Sequence, residues 1–178
     1  MTDWRRDLLT FWFALEPERW WKADAEFDDL CRAKFLKTWS EQRQLPVDAF
    51  LEDPLTALAA VILFDQMPRN MFRGTADAYS TDHLALAIAK AAVKRGFDDQ
   101  LKENERVFLY MPFQHSEDGD DQLRSLQLYT ALGSDYHLGF ARKHHDVIER
   151  FGRFPHRNAI LGRKPRPDEV AAGEVYPW

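Results

Sequence analysis

Carboxylates, guanidinium groups and imidazoles gather in three short stretches of this chain. They are Asp65-Gln66-Met67-Pro68-Arg69-Asn70, Pro112-Phe113-Gln114-His115-Ser116-Glu117-Asp118 and Arg153-Phe154-Pro155-His156-Arg157-Asn158. An imidazole oriented by a carboxylate can act as a general base. Arginine forks and the free N–H groups of a helix start can hold an anion. His115, His144 and Asp65 are therefore the candidates for proton transfer. Arg69, Asn70, Arg73, Glu117, Asp118, His156, Arg157 and Asn158 are the candidates for holding a ligand. Each stretch carries a proline and opens or closes an apolar helical pattern. Asp65, Arg69, His115, His144 and Arg157 are on this basis expected in one connected cluster.

Every one of these residues also has an architectural reading. Asp65 shares a helical wheel with Leu58, Val61 and Ile62, where an ionised carboxylate is costly unless paired. Arg69 or Arg73 can fold back to pair with it. Ser116 can cap a helix whose first turn holds Glu117 and Asp118, carboxylates that favour the positive end of the helix dipole. Capping leaves His115 unexplained. His137 and His144 fall on the apolar face of a helix with Phe140, Val147, Ile148 and Phe151, and His145 lies at its edge. Core histidines are common there. Arg157 and Asn158 can equally close neighbouring helix ends. A zinc site of His115, His144, His156 and a carboxylate is conceivable, but no local spacing demands it, and no metal or cofactor is expected.

The elements that must position these side chains read as helices throughout. Thr2 can cap a helix to about residue 14, ended before Pro17. Asp24 can cap a second, ended by Pro46. Asp53-Pro54 starts a third, apolar all round and so buried, stopped by Pro68. A fourth ends at Gly96. A fifth over 103–111 is ended by Pro112, and a sixth from Ser116 closes at Gly133. A seventh over 135–151 closes at Gly152, and Pro155 opens a short turn ending near Gly162. The expectation is a single helical domain over 1–178 with 163–178 as a tail. Tyr176 or Trp178 is expected to dock rather than extend into solvent. The crowded Trp4, Phe11, Trp12, Phe13, Trp20 and Trp21 read as packing, with Trp20 and Trp21 as possible pocket walls.

Composition narrows the partners. The chain has 178 residues, 45% hydrophobic and 13% aromatic, enough for a real core and unlike a disordered segment. Its net charge of -5 is mild and its basic residues are dispersed, which argues against nucleic acid or an anionic membrane. One cysteine, Cys31, permits no internal disulfide and suits the cytoplasm. Asp3, Asp7 and Pro17 spoil any export signal around Arg5-Arg6, and the apolar run at 55–64 is too short to span a bilayer.

The three stretches, with Phe11-Trp12-Phe13, Trp20-Trp21, Leu63-Phe64, Arg73-Gly74, Glu105-Arg106-Val107-Phe108-Leu109-Tyr110-Met111 and Phe151-Gly152, resemble a bacterial family called domain of unknown function 924 (DUF924). The resemblance covers nearly the whole chain. It implies an all-α fold of about eight antiparallel-packed helices, related to tetratricopeptide-repeat superhelices, and implies no established activity. Met67 and Gln114 stand where the family more often has Phe and Glu, and the second change weakens any mechanism needing two carboxylates there. His144 matches a family histidine, while His145 stands where arginine is usual.

Two functions of different class follow. One is a binding module holding a peptide or small anionic molecule over the three stretches. The other is a hydrolase- or transferase-type enzyme on an anionic substrate. In it His115 or His144 is the base, Asp65 its orienter, and Arg69 and Arg157 the anion clamp. A buried polar network with structural duty alone is the third reading. The absence of a Gly-x-Ser-x-Gly, P-loop or Cys–His signature favours the module. Oligomeric state is not legible.

Overall fold

A computed structural model describes residues 3–178, and among them helices and turns are the only regular elements. The helices are α1 (Trp4–Phe13), α2 (Ala25–Gln42), α3 (Pro54–Val61), α4 (Met67–Met71), α5 (Asp82–Lys94), α6 (Glu103–His115), α7 (Gly119–Leu132), α8 (Asp135–Phe151) and α9 (Pro167–Ala172). A π-helical turn, Ile62–Gln66, joins α3 to α4, so the nine labels trace eight rods. The chain divides into two compact units, the first ending at Leu101 and the second running from Lys102 to Trp178. No helix among the described residues is long and apolar enough to cross a membrane.

In the first unit the apolar rod is the centre, as its sequence demands. Leu58 to Phe64 are completely buried. Asp53 starts the rod by accepting from the N–H groups of Leu55 and Thr56 at 2.9 and 3.0 Å. Around it pack α1, α2 and α5. Trp12 is fully buried, and the Trp20 indole donates to its carbonyl at 2.9 Å, so these rings are packing. Thr2 lies outside the described residues; α1 is capped by Asp3, which accepts from Arg5 N–H at 3.1 Å.

Pro68 does not stop this rod. Its missing N–H would have satisfied the Phe64 carbonyl four residues back. The Thr81 hydroxyl donates to that carbonyl instead, at 2.7 Å, and accepts the Trp39 indole N–H at 3.2 Å. The π turn absorbs the remaining mismatch, with Met67 N–H reaching the Ile62 carbonyl. The helix therefore carries on to Met71.

In the second unit α6, α7 and α8 pack on one another. The joints are brief: residues 116–118, then Gly133 and Ser134. Gly133 and Gly152 take left-handed conformations that end α7 and α8, at φ 78° and 66°. Two expectations need correction here. Pro112 lies inside α6, which runs on to His115, and Asp118 rather than Ser116 caps α7. The buried Gln122 amide closes the end of this longer helix. It donates to the Gln114 and Ser116 carbonyls at 2.8 and 2.7 Å, closing the last turn past the proline. Asp118 accepts from Asp120 and Asp121 N–H at 3.0 and 3.1 Å, leaving Ser116 to donate to Asp121 at 2.9 Å.

The tail also holds more structure than its composition suggests. Pro167 opens α9, and Glu169 accepts from Arg166 N–H at 2.6 Å. Ala172 and Val175 pack on a core of Val147, Ile148, Phe151 and Phe154.

Candidate functional site

The first stretch builds a polar network within the first unit. Asp65 is fully buried on the π turn. Its carboxylate accepts from the Gln66 amide at 2.5 Å and lies 3.5 Å from Arg69. Arg69 donates a two-pronged pair to Asp82 at 2.9 and 3.0 Å and a further bond to the Asp65 carbonyl. Burial disfavours the Arg69 charge, but Asp65 and Asp82 more than compensate and hold it protonated. Arg73 forks onto Asp28 at 2.6 and 2.9 Å and reaches Asn70 at 3.1 Å. Asn70 in turn donates to the Gln66 carbonyl at 3.2 Å. Arg32 closes the end of α4 on the Met71 carbonyl at 2.8 and 3.1 Å.

The second and third stretches meet inside the second unit. Glu117 accepts the Phe154 N–H at 2.7 Å and a fork from Arg163 at 2.6 and 3.0 Å. Burial raises the Glu117 carboxyl, yet Arg163, the Phe154 N–H and Arg157 bring it below its ordinary value. Arg163 also donates to Asn158 Oδ1 at 2.9 Å and to the Phe154 carbonyl at 3.0 Å. Asn158 donates to Glu169 at 2.9 Å. Arg153 grips the same carboxylate at 2.5 and 2.7 Å and pulls the Glu169 carboxyl down to about 2. Glu117, Asp118 and Asn158 thus serve loop and helix ends.

Around this frame stands an aromatic and cationic cluster. Phe154 is completely buried and acts as its hub. The rings of His144 and His156 each lie 5.6 Å from it, and the Arg157 guanidinium sits 4.5 Å over its face. His115, at the end of α6, is 6.1 Å from His144. His144 Nδ1 is 2.8 Å from the Phe140 carbonyl, which can only accept. The proton is therefore on Nδ1, and Nε2 carries the lone pair. Burial, with His115 and Arg157 as added repulsion, pushes His144 down to about 3. Burial and then Arg157 push His156 down to about 4. His156 Nδ1 is itself buried and has no hydrogen-bond partner among the described residues. Outward of His156 lie Tyr176 at 5.9 Å and Trp178 at 4.9 Å, as the docking expectation required.

For a metal, ligand atoms come within 4.8 Å of one another at His145, Asp146 and Glu149, on the outer side of α8. His144 and His156 instead each face the Phe154 ring. Sequence reasoning missed Phe154 as the hub, Gln122, Arg163 and Glu169. Glu169 had a readable signal, since it stands at the third position after an Arg-Pro helix start. Gln122 and Arg163 had none.

The family pattern of a "Bacterial protein of unknown function (DUF924)" matches residues 8–172. The chain is also similar to a solved structure, that of a "Protein of Unknown Function ATU0120 from Agrobacterium tumefaciens". The two share 42% identity and a TM-score of 0.89 over 96% of each chain. No curated protein matches.

Proposed function

The chain belongs to the bacterial DUF924 family, and we propose that its second unit binds a small anionic molecule, a carboxylate or phosphate, at Phe154, His156 and Arg157. The observation that carries this reading is the buried, unpartnered Nδ1 of His156 beside the Arg157 guanidinium. A buried polar atom without a partner costs free energy that a ligand recovers. His156 in its neutral form donates from one ring nitrogen, and Arg157 supplies the charge. The polar network of Asp65, Arg69, Asn70 and Arg73 reads as a structural lock, in which Asp28 and Asp82 engage the arginines.

Isothermal titration with inorganic phosphate and with succinate tests the proposal. Binding in the unmodified protein and its loss in Arg157→Gln is the expected result. Equal binding in both proteins sinks it. One observation favours a catalytic variant of the same site. The Phe140 carbonyl fixes the His144 tautomer with Nε2 as acceptor, the arrangement of an oriented general base. Turnover of phosphate or carboxylate esters that disappears in His144→Gln, with ligand binding retained, distinguishes the enzyme from the module.

A further inference from the structure

We propose that the aromatic strap at residues 174–178 is a displaceable cover, and that an anion reaches His156 and Arg157 only when Tyr176 and Trp178 swing off the His156 ring. This deepens the anion-binding reading above and rests on it.

The strap backbone is held at two points, while its two aromatic rings remain exposed. Val175 packs on the Val147, Ile148, Phe151 and Phe154 core, and Pro177 is buried. Upstream, Glu169 ties α9 to Arg153 and Asn158, so α9 itself is anchored. Between anchor and strap stands Gly173 at φ 73° and ψ -145°, a backbone state that side chains other than glycine's rarely adopt.

The two aromatic rings themselves are weakly held. No hydrogen bond ties residues 174–178 to the rest of the described chain. Tyr176 and Trp178 remain 49% and 64% exposed. What holds them is ring contact: each with His156, and 5.2 Å with each other. Beneath them lies the imidazole whose Nδ1 has no partner. The cover therefore leaves that group buried without satisfying it. A ligand that supplies a hydrogen-bond acceptor or donor competes with ring contacts alone. Such a cover lowers apparent affinity by the fraction of time it is closed.

Titration of inorganic phosphate and succinate into the full chain, the Tyr176→Ala, Trp178→Ala double variant and Arg157→Gln reads this directly. The double variant is expected to bind roughly tenfold tighter than the unmodified chain, since removing a closed state raises the competent fraction. The His156 ring resonances in the unmodified chain should move, on ligand addition, toward their positions in the double variant. Unchanged affinity in the double variant, with Arg157→Gln still defective, overturns the cover and leaves the site. Weaker binding in the double variant also overturns it, because the rings would then be walls of the site. Absence of binding in every protein, the double variant included, overturns both readings together.

Discussion

Two polar regions of this molecule pair similar residue types differently. In the first unit Arg69 and Arg73 each meet carboxylates, Asp82 with Asp65 and Asp28 respectively. In the second unit Glu117 and Glu169 are already spent on Arg163 and Arg153, while His156 keeps a buried nitrogen without a partner. The first arrangement matches cations to anions and locks a helix. The second has imidazoles that burial keeps neutral and a guanidinium over an aromatic ring. Pairing of this kind separates a lock from a receptor better than residue type does.

The sharpest way to break the comparison is to remove the anion from the lock. Asp65→Ala leaves the Gln66 amide and part of the Arg69 charge without their buried acceptor. A loss of about 3 kcal/mol is expected, the low end for breaking a buried pair because Asp82 still holds Arg69. Urea denaturation measures it. A loss below about 1 kcal/mol would place Asp65 outside the structural network.

The frame of the second unit gives the next effect. Glu169→Gln keeps the size of the side chain but removes the charge that Arg153 forks onto. Roughly 2 kcal/mol should be lost, following the worth of charge-assisted bonds. Near-UV circular dichroism combined with denaturation should show the tail loosening before the helices unfold.

These two residues also show what was legible beforehand. Asp65 could be singled out because its neighbours on the wheel are all apolar, and Asp24 and Asp53 announced their helices by type and position. Pro68 and Pro112 both misled. At Pro68 the orphaned Phe64 carbonyl is satisfied by Thr81 from another part of the chain, and past Pro112 the end of α6 is closed by Gln122. No local pattern encodes such a partner. Helix-end positions led to the expectation that all three stretches meet; the second and third meet within the second unit, and the first builds its network within the first. The partner that consumes Glu117 was not readable, because Arg163 sits in a stretch whose composition resembles a loose tail, and Glu169 was readable only as a helix-start residue, not as the partner of Asn158.

Acid should distinguish the regions without mutation. The folded second unit holds His144 at about 3 and His156 at about 4, against an ordinary value of 6.5. Below pH 6.5 the unfolded chain gains protons that the folded unit refuses. Stability is thus complete above that value and falls as pH drops toward 4 and then 3. Each histidine contributes up to about 1.4 kcal/mol per pH unit over its window. Glu117, held below its ordinary 4.5, adds loss in the same direction only beneath that value. Denaturation midpoints between pH 7 and 5, before carboxylates enter, should fall in the unmodified chain. The slope should flatten in His144→Gln. A flat profile in both would mean that these imidazoles charge freely when folded.

The smallest expected change is at His115, and it bears most directly on receptor against lock. The ring is half-buried at the end of α6, whose last carbonyls are closed by Gln122 rather than by His115. His115→Ala should cost less than about 1 kcal/mol. Its ring does, however, repel a proton on His144, and it is a lesser influence of the same sign on His156. Both imidazoles should therefore titrate slightly higher in the variant, by an amount that nuclear magnetic resonance resolves, and more at His144 than at His156. Stabilisation of the fold by phosphate or succinate should weaken in parallel if His115 shares the ligand. A large stability loss at His115, with no anion effect in the unmodified chain, would make the second region a lock like the first.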